Sequence, residues 1–195
     1  ADLRQLSEFN ISDDNRYNSP KDYYAVINNC NLYISRADTA IRNSANKSLF
    51  LREYAAAKAY RAWTYLQLVI NYGRVPYYTE PITTKEQSEI KYEEKDIVDM
   101  CNTLIADITP LAEVEIPQLG TIGVTDSRLL YFPIYILLGD LNLWAGNYKD
   151  AATAYYKYIT TANGGSSYFP TKATNTYLVN NEWIMISSSY DDCFS

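Results

Sequence analysis

The chain has 195 residues, a formal charge of −6, 20 Tyr, three Trp and no His. That length supports one good core and is short for two, and the missing His removes the commonest general base and zinc ligand together. The negative charge, with Lys and Arg scattered rather than clustered, excludes the basic footprint that nucleic acid or an anionic membrane surface demands.

Residues 1–18 are polar and irregular. Asp13, Asp14 and Asn15 stand like the opening of a calcium loop, but the alternating ligands, the glycine and the distal Glu are missing, so a solvated loop is expected. Ser19 is placed as an N-cap, with Pro20 at N1 and Asp22 near the helix start. The first helix is expected over about 20–45, with Tyr23, Ile27, Cys30, Ile34, Ala37 and Ile41 as its buried stripe. Asn28, Asn29 and Asn31 crowd its middle although Asn is a poor helix former. Two readings stay open for them: a polar face that hydrogen-bonds a neighbouring loop, and ligand contact.

A short loop, 43–47, leads into a second helix over 48–72, antiparallel to the first. Ala55, Ala59, Ala62, Leu66 and Val69 share one face, small above and bulky below, so a neighbour approaches closely. Gly73 suits a C-terminal turn with positive φ, and Pro76 cannot continue the helix. Residues 77–91 read as a wrapping connection. The third helix is expected over 92–111, with Glu93, Glu94 and Asp96 at its start and Ile97, Cys101, Leu104, Ile108 and Leu111 inward. After a Pro- and Gly-rich loop, Thr125 is expected to cap a fourth helix over 125–145, with Leu130, Ile134, Leu137, Leu141 and Ala145 inward and a kink at Pro133. A fifth helix over 148–162 presents Ala151, Tyr155, Tyr158 and Ile159 to the core and stops at 163–165. Beyond it, 177–179 and 182–186 read as short strands. Cys30 and Cys101 fall on apolar faces and are expected as packed thiols, whereas Cys193 lies in a polar setting. No signal peptide, lipobox or membrane-spanning stretch is visible in these residues.

Two stretches carry a family resemblance. Arg61-Ala62-Trp63-Thr64-Tyr65-Leu66 running into Asn71-Tyr72-Gly73-Arg74-Val75-Pro76-Tyr77 resembles the SusD/RagB pattern that closes the second helix of a tetratricopeptide-like scaffold. Trp144, Gly146, Asn147, Tyr148 and Ala151 then stand in the aromatic-x-G-[ND]-Y-x-x-A pattern of a tetratricopeptide turn, where the tyrosine packs between the two helices. The resemblance covers roughly residues 20–190, and proteins of that family are much longer. It implies a mainly α fold, a tetratricopeptide-like stack of antiparallel helix pairs with short strands near the C-terminus, in one domain over 1–195.

The resemblance also implies a function. SusD-like proteins are non-catalytic lipoproteins on the outer-membrane surface that capture glycans or other nutrients for a SusC-like TonB-dependent transporter. The export signal and lipid-bearing cysteine are then expected outside these 195 residues. Part of the family's ligand surface comes from the segment before the first helix, which places Arg4, Asn15, Arg16, Tyr17 and Asn18 as ligand-binding candidates. The same loop reads equally as ordinary solvated chain. Trp63, Trp144 and most stripe tyrosines are expected in the core rather than on a ligand platform.

No nucleophile–base pair, phosphate loop or zinc motif is present, and adjacent carboxylates such as Glu93/Glu94 and Asp191/Asp192 diverge on a helix. The expectation is a protein that is not an enzyme and carries no catalytic residues, metal or cofactor. A second reading, a helical scaffold that grips a protein partner, suits the abundant tyrosines equally well.

Overall fold

The computed structural model describes residues 2–8, 10–12, 15, 17–123, 125–160, 176–179 and 182–185. The expectations at Asp13, Asp14, Arg16, Ile186, Asp191, Asp192 and Cys193, and the fifth helix beyond residue 160, lie outside them.

The architecture is a run of antiparallel helices. A short α1 (Asp2–Ser7) precedes α2 (Lys21–Arg36) and the long α3 (Leu51–Tyr72). Tyr23 at the start of α2 meets Tyr72 at the end of α3, ring centroids 6.1 Å apart, so the two helices run in opposite directions. The expected face of α3 is the centre of the molecule: Ala55, Ala59, Ala62, Leu66 and Val69 are all buried. Three alanines in successive turns let α2 and α5 close on α3 without an intervening layer of long side chains.

After α3, Gly73 turns the chain at φ 77° and ψ −108°, a region open to glycine alone. Strand β1 (Val75–Pro76) then pairs antiparallel with β2 (Glu94–Lys95), and the strap between them carries the one-turn α4 (Lys85–Ser88). Helix α5 (Ile97–Ile108) runs back along α3, extended by a 3₁₀ turn (Thr109–Leu111). Its Met100, Cys101, Leu104 and Ile108 are buried. A small hairpin, β3 (Thr121–Ile122) with β4 (Thr125–Asp126), leads through a second 3₁₀ turn (Ser127–Leu130) to α6 (Ile134–Trp144) and α7 (Tyr148–Thr160). Strands β5 (Thr176–Val179) and β6 (Glu182–Met185) fall where two short strands are expected and pair antiparallel.

The second helix starts at Leu51 rather than 48, and Pro20 rather than Ser19 stands at the N-cap of the first. Three further helix boundaries differ from expectation, each for a local reason. The first helix stops at Arg36 rather than 45, and Ile41 is exposed. Residues 37–50 are rich in side chains that bond the backbone themselves: Asp38 Oδ1 accepts from Ala40 N at 2.8 Å, and Asn43 Oδ1 accepts from Ala45 N at 2.9 Å and Lys47 N at 3.0 Å. Such bonds compete with the helical ladder. The third helix starts at Ile97 rather than 92, because Asp96 caps it by accepting from Val98 N and Asp99 N at 3.1 Å while Glu94 and Lys95 stay in the ladder with β1. The fourth does not run from 125, and Pro133 does not kink it. Pro133 stands at the N-cap with ψ 125°, and the chain before it is the hairpin and 3₁₀ turn. The ring keeps the preceding residue out of the helical region, so the helix starts at the proline instead of bending there. Leu130 is consequently exposed.

Candidate functional site

The five residues expected to meet ligand divide in the structure. Asn15 is buried and works inside the loop: its Nδ2 donates to Gln5 Oε1 at 2.7 Å, and its Oδ1 accepts from Tyr17 N at 3.0 Å. It is the hinge of an Asx turn that ties α1 to the segment before α2. Asn18 closes the same turn, its N–H donating to Asn15 O at 2.8 Å. Tyr17 is carried on that turn with its ring half exposed. Arg4 pairs with Glu8 one helical turn away at 2.7 Å. Arg16 is outside the described residues. Asn15, Tyr17 and Asn18 are thus brought together, with Tyr17 as the outward aromatic.

A second feature was not anticipated. The strap between β1 and β2 folds over the start of α2 and leaves a concavity of about 300 Å³, walled by Tyr24, Tyr78 and Tyr92. Tyr78 stacks on Tyr24 (centroids 5.8 Å, interplanar 13°) and leans on Tyr92 (4.8 Å, 35°). Pro76, Ile82 and Ile90 complete the apolar wall, and Ser88, Lys91 and Glu94 supply polar groups.

The asparagines of α2 hold the strap in place. Asn28 Nδ2 donates to Ile82 O at 2.8 Å while Ile82 N donates to Asn28 Oδ1 at 2.7 Å, a side-chain amide substituting for a strand neighbour. Asn31 Nδ2 lies 3.4 Å from Tyr78 O and 3.3 Å from Glu80 O. Tyr65 of α3 grips the same residue twice, donating its phenol to Tyr78 O at 2.8 Å and accepting from Tyr78 N at 3.0 Å. The loop-bonding reading therefore holds for Asn28 and Asn31, while Asn29 is exposed. Asn is tolerated here because each amide satisfies backbone groups that no helix or sheet reaches.

Behind the strap lies a charge cluster. Arg61 is 1% exposed; it donates from Nη1 to Asn31 Oδ1 and from Nη2 to Asp107 Oδ2, both at 2.7 Å, and Lys58 also bonds Asp107. Burial alone would raise the Asp107 carboxyl, but the Lys58 and Arg61 cations outweigh it and hold Asp107 below the usual carboxylate value. Burial pushes the phenols of Tyr24, Tyr65 and Tyr78 upward, aided at Tyr24 by Tyr78 and Glu94 and at Tyr78 by Tyr92. Those rings stay neutral.

Other aromatics depart from expectation. Trp63 is partly exposed and stacks on Phe132 (centroids 4.9 Å, interplanar 18°), and Trp144 is half exposed. Tyr148 is 71% exposed and does not pack between α6 and α7. That place belongs to Tyr155, whose ring lies against Gly139 and whose hydroxyl bonds Asp140 Oδ1 at 2.5 Å. Of the cysteines, Cys101 is buried and Cys30 half-buried; both are free thiols. Among the described residues, no group of acidic or thiol side chains is arranged to hold a metal, and no helix is long and apolar enough to cross a membrane.

Solved structures share this helical arrangement. A SusD-like carbohydrate-binding protein from Bacteroides fragilis superposes with TM-score 0.60 at 18% identity, over 78% of this chain. The fold is SusD-like. A second SusD-like protein from Bacteroides fragilis superposes equally well, TM-score 0.60 at 16% identity over 81% of this chain. The SusD-like match spans 29% and 30% of those two chains. No protein-family model and no curated protein matches the sequence.

Proposed function

We propose that this chain acts in glycan capture at a bacterial cell surface, as a non-catalytic SusD-like binding protein that passes oligosaccharide to a SusC-like TonB-dependent transporter. The observation that carries the reading is the helical arrangement shared with a SusD-like carbohydrate-binding protein. Residues 1–195 then act as one helical unit, and the protein is held on the outer face of the outer membrane by a lipid anchor outside them. The turn before α2 supplies the binding edge. Tyr17 offers a ring face to a pyranose, Arg4, Arg16 and Asn18 are assigned as hydroxyl partners, and Asn15 shapes the turn that carries Tyr17 and Asn18.

Affinity electrophoresis of the purified chain through gels containing plant and host polysaccharides tests this reading. Retardation by a glycan, lost on Tyr17→Ala, supports it; migration unchanged across the panel counts against it. One observation favours the scaffold reading instead. Trp63, Trp144 and Tyr148 present aromatic surface outward, as partner-binding helices do. Binding to a folded protein that free oligosaccharides leave unaffected would favour that alternative.

A further inference from the structure

The strap concavity and the Tyr17 turn are separate features, and the glycan-capture reading places sugar contact only at the second. Resting on that reading, we propose that the concavity walled by Tyr24, Tyr78 and Tyr92 is a second sugar subsite, which takes a single uncharged hexopyranose ring at the end of a glycan chain.

Size, shape, charge and rigidity point the same way. About 300 Å³ is at the small end of ligand pockets, enough for one sugar ring and short of an extended chain. Three tyrosine rings line the concavity, Tyr24 and Tyr92 more open than the buried Tyr78 between them in the stack, and the C–H face of a pyranose stacks on such rings while its edge hydroxyls need polar partners. Lys91 supplies a donor cation and Glu94 an acceptor anion at the same mouth, so the site has no net charge to select a uronate or an amino sugar. The site is also formed before any ligand arrives. Asn28 clamps Ile82 from α2, Tyr65 holds Tyr78 from α3, and the β1–β2 ladder fixes the far end, where Tyr77 N donates to Glu93 O at 2.9 Å. A strap tied at three points loses little freedom on binding, which favours even a small contact area.

The test is amide chemical-shift mapping of the 195-residue chain with three probes: cellotetraose, maltotetraose and mannotetraose. Trigalacturonate serves as the charged control. Movement of the Ile82, Ser88 and Lys91 amides by a neutral probe is expected. Tyr92→Ala should then raise the Kd read from those amides about tenfold, the scale of one lost stacking face. Ile90→Glu, at a position already exposed, should have the same effect without touching the core. Shifts confined to the Tyr17 turn would overturn the second subsite and leave glycan capture standing. Tighter binding of trigalacturonate than of the neutral probes would overturn the assigned sugar class. No amide moving with any probe at millimolar sugar would overturn the subsite together with the capture reading.

Discussion

Arg61 of α3 donates to Asn31 of α2 at 2.7 Å, and both side chains are closed off from solvent. The bond joins two helices, but its consequence lies in the strap, because the other end of the Asn31 amide faces the Tyr78 and Glu80 carbonyls. Arg61 is in turn neutralised by Asp107 of α5. One chain of polar contacts therefore runs from α5 through α3 and α2 to the strap that walls the tyrosine concavity. Buried polar chains of this kind specify one packing arrangement because a partly satisfied version is worse than none.

Cutting the chain at Asp107 should be costly. Asp107→Ala leaves Arg61 buried without its counter-charge and is expected to destabilise by about 3–5 kcal/mol. Asn31→Leu removes a neutral partner of the same charge, for an expected loss of about 1.5–3 kcal/mol. Urea unfolding followed by circular dichroism reads both. A midpoint shift under about 1 kcal/mol for Asp107→Ala would show that the cluster is solvated and not a structural brace.

The same carboxylate sets an acid limit. Its folded pKa is depressed by Lys58 and Arg61 against the opposing effect of burial, so the unfolded chain binds this proton more readily. The stabilisation is then fully present above the unfolded value of about 3.9 and is lost as pH falls through the folded value. Unfolding midpoints measured from pH 6 down to pH 2 should drop below about pH 4, and Asp107→Asn should flatten that part of the profile. An unchanged profile in the variant would assign the acid loss to other carboxylates.

Much of the helical frame was legible in the sequence. Ala55, Ala59, Ala62, Leu66 and Val69 occupy the face their spacing implies, because burial of that stripe follows from the helix period alone. Boundaries were less legible where a tertiary partner or a local side-chain bond decides them. Glu94 and Lys95 look like a helix start but pair with β1, and Asp38 and Asn43 unwind what periodicity extends. At the site, the polar composition before α2 marks a turn, but that Asn15 faces inward follows from its bond to Gln5, ten residues earlier on α1. The concavity had a faint signal in Tyr77, Tyr78 and Tyr92 flanking the connection. Its walls come from two segments far apart in the chain, a juxtaposition no local pattern encodes.

The α6–α7 pair should be intolerant of added bulk at Gly139. A Cβ built there would sit 2.2 Å from the Tyr155 ring, and Tyr155 is held by Asp140 on one side. Gly139→Ala is expected to destabilise by about 1–3 kcal/mol through overpacking. Tyr155→Leu removes the ring, so Gly139→Ala combined with Tyr155→Leu should lose less than the two single changes added together. Simple additivity in that double-mutant cycle would mean the helices adjust without steric conflict.

Alkaline conditions should unfold the protein through its tyrosines. Burial raises the phenols of Tyr24, Tyr65 and Tyr155, with Asp140 adding to the rise at Tyr155, and pushes Tyr158 up to about 12. A raised folded pKa means that the native state resists ionisation while the unfolded chain ionises near pH 10. Their stabilising contribution is complete below about pH 10 and is lost as pH climbs through the folded values. Absorbance at 295 nm should therefore show a second, late transition, in which the buried tyrosines ionise only together with the loss of helical circular dichroism. Tyr65→Phe should shift that second transition downward in pH, because the hydroxyl that grips both backbone groups of Tyr78 is gone. A single smooth titration of all tyrosines near pH 10, with helicity intact, would contradict the buried tyrosine wall beneath the strap.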